Sequence, residues 1–296
     1  HTGQIPWRDI MISGYVLAKP GEKISKSKNN AGNSPMALIE THSADAIRYW
    51  AANSKLGTDT FFSAEELKIS KRFLNKLYNA ARFAILQLED FTKPAQYDES
   101  SLLPVDRWIL QRVNETTLKA ARLLEDYEIG QARHEIDNLF WRDFCDYYIE
   151  IVKERLYQPK KHGAAWRYSG QIAVYYGFLG ILKLYAIYIP YMTEYIYQDF
   201  YRKYEKTLSL HQTLWTTGQV REEYLAFGAH LEDIIAQVRK DKSEKQMSMK
   251  DPIPELVISC PMGLREFYEK SLGDITACTR AERIELQDQT LYTNER

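Results

Sequence analysis

Apolar positions return every three or four residues through the middle of the chain. After Ser63 the spacing of Leu67, Phe73, Leu74, Leu77 and Tyr78 is helical, and Ser63 with Glu66 forms a capping-box signature. The segments VDRWILQRVNETTLKAARLLEDY, IGQARHEIDNLFWRDFCDYYIEIVKERLY and WRYSGQIAVYY through YRKYE keep that period, with PAQYDESSLLP as a linker. Four helices of roughly 25 to 40 residues with short connections predict an antiparallel bundle over residues 63–215. Residues 1–62 are patterned differently. DIMISGYVLA suits a short buried strand and KPGEK a turn, while SPMALIETH and SADAIRYWAAN open as helices, with Ser34 and Ser43 as caps and Pro35 at a first helical position. Over residues 216–296 a helix, REEYLAFGAHLEDIIAQVRKDK, precedes the strand-like PELVISC, the helical GLREFYEKSL and the alternating RIELQ. The expected fold class is mainly α: a helix bundle, preceded by the tail of an α/β domain and followed by a small α+β domain.

Composition narrows the reading. The chain has 296 residues, with 39 Lys and Arg against 40 Asp and Glu, so an anionic partner has to be met by local patches. Cys145, Cys260 and Cys278 lie far apart without metal-ligand spacing, which fits reduced thiols of a cytoplasmic protein. His134 and His162 stand alone, so no metal is expected. The most apolar run, IAVYYGFLGILKLYAIYIPYM, is tyrosine-rich and interrupted by Lys183; it suits a buried bundle helix rather than a membrane span. A soluble protein with no membrane partner is expected.

Three stretches gather positive charge. KPGEKISKSKNN holds Lys19, Lys23, Lys26 and Lys28, with Ser25 and Ser27 between them, where a strand gives way to a capped helix. Ligands collect at such strand ends, and ammonium and hydroxyl groups there suit a polyphosphate. Lys28 is either a phosphate contact or solvated. Lys153 to Arg167 carries Lys153, Arg155, Lys160, Lys161 and Arg167 against Glu154 alone. Arg239 to Lys250 carries Arg239, Lys240, Lys242, Lys245 and Lys250 against Asp241 and Glu244. On a chain of net charge −1 these are candidate RNA-backbone contacts, or else ordinary charged surface. The bundle aromatics, among them Trp108, Phe140, Trp141, Phe144, Tyr148 and Tyr185, are expected in the core rather than stacked on bases. Asp146 and Glu150 are expected in ion pairs with Lys153 or Arg155, and Cys145 as a small core residue.

KISKS resembles the Lys-Met-Ser-Lys-Ser loop of class I aminoacyl-tRNA synthetases, with Ile24 in place of Met. ADAIRYWAA, LGTDTFFS and NKLYNAARF resemble the run after that loop in the branched-aliphatic subgroup, and DRWIL, FWRDFCDYYIEIVKERLY and PYMTEYIY resemble its anticodon-binding bundle. Within the subgroup FCDYYIEIVKERLY and VRKDKSEKQMSM are most similar to the valyl branch; an isoleucyl or leucyl relative is the alternative. The resemblance implies an α/β nucleotide-binding domain ending near residue 62. It also implies ATP bound by Lys23, Ile24, Ser25, Lys26 and Ser27, with Lys26 stabilising departing pyrophosphate. ATP and Mg²⁺ are then used by the full-length enzyme, valine and its tRNA are substrates, and no zinc is bound in this part. The tRNA contacts to expect are Lys160, Lys161, Arg239, Lys240 and Lys242. Two features depart from the family pattern: Asn29 and Asn30 follow Lys28 where Gly-Asn is usual, and no His-Ile-Gly-His-like motif is present. The chain is therefore expected to be the C-terminal part of a longer ligase and inactive alone. The rival expectation is a free-standing tRNA-binding module without catalysis.

Overall fold

The computed structural model describes residues 3–19, 21–24 and 35–289. It is mainly helical with two small sheets. The chain forms two compact units: residues 1–82, 116–137 and 182–215 make the first, and residues 83–115, 138–181 and 216–296 the second.

In the first unit β1 (Val16–Lys19) lies between β2 (Glu22–Lys23), antiparallel to it, and β3 (Thr60–Phe61), parallel to it. The strand is shorter than DIMISGYVLA predicts. Ile10, Met11 and Ile12 are exposed, and at Gly14 the chain runs so close to Thr58 that a Cβ would collide with its carbonyl. Gly57 N donates to Ile12 O at 3.0 Å and Tyr15 N to Asp59 Oδ1 at 2.8 Å, so these residues follow a turn instead of pairing with a strand. Helices α1 (Pro35–His42) and α2 (Ala44–Ala51) follow, with Ser43 Oγ accepting from Ala46 N as the expected cap. At α3 (Ala64–Gln87) only half of the capping box forms. Glu66 N donates to Ser63 Oγ, but the Glu66 carboxylate takes the indole N–H of Trp50 at 2.7 Å.

The predicted second helix is α4 (Pro104–Glu125), and the third runs through α5 (Ile129–Asn138), a π-helical segment (Leu139–Tyr148) and α6 (Ile149–Tyr157). A short α7 (Pro159–His162) leads to the fourth, which breaks into α8 (Ala164–Tyr185) and α9 (Pro190–Asp199). Pro190 cannot continue a helix and restricts Ile189 to a non-helical conformation (φ −127°, ψ 65°). In the first unit α2 stitches this break: Arg48 donates to the carbonyls of Ile187 and Tyr188, and Asp45 accepts from the N–H groups of Tyr191 and Met192.

The second unit is built on aromatic packing. Trp108, Phe140, Phe144 and Tyr148 are buried, as expected, whereas Trp141 is half-buried. Gly228 on α10 (Glu222–Glu244) lies where any Cβ would strike the Trp108 indole. A βαβ arrangement closes this unit: β4 (Ile253–Cys260) and β5 (Ala281–Asp288) pair in parallel, joined by α11 (Arg265–Thr279), which packs on α6 and α10.

Candidate nucleic-acid interface

The lysine loop enters through β2. Lys23 is exposed, its Nζ 4.0 Å from the centroid of the Tyr15 ring, and Ile24 is exposed beside it. Ser25, Lys26, Ser27 and Lys28 lie outside the described residues.

The two basic stretches of the second unit divide sharply by burial. Arg155 is wholly buried. Its guanidinium pairs with Asp106 at 2.6 Å and Asp274 at 2.9 Å and donates to Trp166 O at 2.6 Å. Tyr148 and Ser169 donate to the same Asp106 carboxylate. Burial works to lower the Arg155 pKa, but the two carboxylates more than offset it and raise it. Burial likewise pushes Asp274 up to about 6 against the pull of Arg155, helped by the competing charge of Asp106. Arg167 is also structural, donating to Leu156 O and pairing with Asp90. The cluster around residue 160 is thus less basic at its surface than its composition implies. Glu150 pairs with Lys153 at 3.2 Å, as expected, while Arg155 goes to Asp106 and Asp274 instead. Cys145 is only half-buried, not a core residue.

Of the five predicted RNA contacts, Lys160 and Lys161 are exposed on α7, Lys240 is exposed on α10, and Arg239 is half-buried. Arg239 lies over the Tyr147 ring and donates to Asp146 O at 2.8 Å. Lys242 is a correction. It is only 2% exposed, and its ammonium donates to the carbonyls of Met249, Asp251 and Thr279 at 3.1, 2.6 and 2.9 Å. Burial lowers its pKa, and three carbonyl dipoles satisfy its three donors. No donor is left for a phosphate.

Folding brings the two stretches together at one groove of about 570 Å³ in the second unit, formed by α6, the C-terminal end of α10 with the following loop, and the end of α11. Lys153, Arg239, Lys250 and Arg280 line it, facing Glu150 and Glu154. Glu154 is shared by Lys161 at 2.5 Å, His162 at 3.1 Å and Arg280 at 3.1 Å. Burial works to raise Glu154, and the hydrogen bonds from Lys161 and His162 overcome it, holding the carboxyl below its usual range. Arg280 is absent from the sequence-based set. It follows α11 in a left-handed conformation (φ 63°), far in sequence from either cluster, so only the fold places it here. The groove wall includes Cys278, whose thiol burial pushes up to about 11, so it is no nucleophile at neutral pH. Among the described residues no group of three or more His, Cys, Asp or Glu side chains could hold a metal ion, and no helix is long and apolar enough to cross a membrane.

Residues 106–258 match the family described as the anticodon-binding domain of tRNA ligase, and residues 1–63 match the class I tRNA synthetases of the I, L, M and V group. Valine–tRNA ligase of Rickettsia felis is 36% identical over 98% of this chain and 34% of its own length. The Wolbachia pipientis wMel enzyme of the same name is 34% identical over the whole chain and 33% of its own length. The chain thus spans about a third of the length of these relatives. The LeuRS–tRNA–LeuAMS ternary complex of Agrobacterium radiobacter K84 superposes with a TM-score of 0.52 at 15% identity, covering 72% of this chain and 24% of that one, a likeness of fold.

Proposed function

The chain belongs to the anticodon-binding domain family of tRNA ligases, and from that premise we propose that it is the tRNA-binding, lysine-loop-bearing region of a valine–tRNA ligase. The similarity to valine–tRNA ligases across nearly the whole chain carries this reading. The parent activates valine with ATP, forming valyl-adenylate and pyrophosphate, and transfers the valyl group to its tRNA in the cytoplasm. Residues 1–62 end the catalytic domain, residues 63–215 form the anticodon-binding bundle, and residues 216–296 form a C-terminal tRNA-contacting domain. Lys26 stabilises the charge that develops on departing pyrophosphate, and Lys23, Ser25 and Ser27 donate to the ATP phosphates from the same loop, with Ile24 between them. Mg²⁺ enters with the nucleotide. The ammonium groups of the loop hold phosphate and are not ligands for the ion. Lys160, Lys161, Arg239 and Lys240 are the proposed tRNA-backbone contacts.

Valine-dependent exchange of pyrophosphate into ATP tests the reading in the full-length ligase. Lys26→Ala is expected to lower that exchange roughly 10²–10³-fold, the scale for losing one partner of transition-state charge. Valine affinity is expected to stay unchanged, because the lysine faces phosphate. Exchange driven by isoleucine or leucine in preference to valine would overturn the amino acid assignment, and an unchanged rate would remove Lys26 from the chemistry.

A further inference from the structure

We propose that Tyr15 is a positioning residue for the lysine loop: its ring holds the Lys23 ammonium from one side and so presents it to the phosphates of ATP. The inference rests on the reading of Lys23 as a phosphate donor and adds what aims it.

The strand register brings the two side chains together. β1 and β2 run antiparallel with Leu17 opposite Lys23. Tyr15, two residues before Leu17, is then the diagonal neighbour of Lys23, at a separation that an aromatic ring and a long side chain can bridge. They do so here: Lys23 Nζ stands 4.0 Å from the centroid of the Tyr15 ring. Tyr15 and Lys23 are both exposed, while Leu17 is buried and pins the hairpin in place.

The ring has a fixed root. Gly14 presses on the Thr58 carbonyl, Tyr15 N donates to Asp59 Oδ1 at 2.8 Å, and Tyr15 O accepts from Thr60 N at 2.9 Å. The backbone at Tyr15 is thus tied to the segment that enters β3. Lysine brings the opposite property, a long flexible stem whose freedom is lost when its head binds a ligand. A ring that confines the stem beforehand removes part of that cost. The kind of partner matters as well. A carboxylate in the same place would pair with the ammonium and compete with phosphate. A ring face attracts the cation through its quadrupole, leaves the charge whole and takes none of its three donors in a hydrogen bond.

The test has two arms. The first measures valine-dependent exchange of pyrophosphate into ATP by the full-length ligase. Tyr15→Leu is expected to raise KM for ATP about 2–5-fold, the scale of one exposed cation–π contact, with kcat and KM for valine unchanged. Tyr15→Phe keeps the ring and is expected to restore the wild-type KM. Lys23→Met raises KM for ATP by itself, and adding Tyr15→Leu to it is expected to change nothing further, because the tyrosine acts only through the lysine. The second arm needs no activity. In the chain labelled with carbon-13 lysine, the methylene protons beside Lys23 Nζ, assigned with Lys23→Met, are expected upfield under the ring current. That shift is expected to persist in Tyr15→Phe and to vanish in Tyr15→Leu. An unchanged or lowered KM for ATP in Tyr15→Leu would overturn the proposal, and so would a Lys23 signal without the upfield shift. A Tyr15→Leu effect of the same size in the Lys23→Met background would mean that the tyrosine supports the fold and not the lysine. A wild-type ligase without valine-dependent exchange would bring down the functional reading, and the role of Tyr15 with it, while the spectrum still reports the contact.

Discussion

Lys240 and Lys242 stand two positions apart on α10 and have opposite fates. The first reaches water, 4.0 Å from Glu244, and the second is sealed under three carbonyls. A count of charges along the sequence treats them alike, because two residues on a helix are separated by about 200° and composition does not say which side is covered. The same blindness applies to Arg155 and Arg167, which the sequence places in a basic surface and the fold assigns to carboxylates. Lys242→Met is expected to cost about 2–4 kcal/mol, because it leaves buried carbonyls without a donor. Lys240→Met is expected to stay within about 0.5 kcal/mol. Urea denaturation of the two variants measures the contrast, and equal stabilities would show that the Lys242 ammonium does not support the loop.

At the scale of elements, hydrophobic period predicts where most helices lie, since a 3.6-residue repeat survives any detail of packing. It does not reveal where a helix changes its winding. Nothing in LFWRDFCDYY marks the π-helical segment over Leu139–Tyr148, in which Leu139, Phe140, Asp143, Phe144 and Tyr148 are buried. The break before α9 is legible in Pro190 once its neighbours are weighed, but apolar residues on both sides hide it inside one continuous periodic run. What holds the break is not legible at all: Asp45 caps α9 from 147 residues away at Met192 N, at 2.7 Å. Burial raises the Asp45 pKa while the N–H groups of Met192 and Tyr191 work to lower it. Asp45→Ala is expected to destabilise the chain by about 1–2 kcal/mol, the range for losing a helix cap, and Asp45→Asn by less, since an acceptor remains. Denaturant midpoints for the pair decide it; equal losses would mean that the carboxylate does more than cap.

At the scale of the whole molecule, the helical core and the βαβ segment of the second unit share one buried ionic junction. Arg155 on α6 joins Asp106 on α4 to Asp274 on α11. Burial pushes Asp274 up to about 6 from 3.8, the nearby charge of Asp106 adds to it, and the one guanidinium between the two carboxylates does not offset both. The consequence for stability has a definite sign. Between about pH 4 and pH 6 the native chain keeps a proton on Asp274 that the unfolded chain has released. Stability contributed by this group therefore falls as pH rises through that window and levels off above about 6. The full loss is about 3 kcal/mol, at roughly 1.36 kcal/mol for each pH unit between the two pKa values. Asp274→Asn cannot titrate and keeps an oxygen for the Arg155 guanidinium, so it lacks this loss. Urea unfolding of the wild type and Asp274→Asn, compared at several pH values from about 4 to 7, cancels the titrating groups that lie away from the junction. Wild-type stability measured relative to the variant is expected to decline across that window and then stay constant. A difference that stays flat, or that grows with pH, would mean that Arg155 fully compensates Asp274 and that the two carboxylates of the junction do not oppose each other.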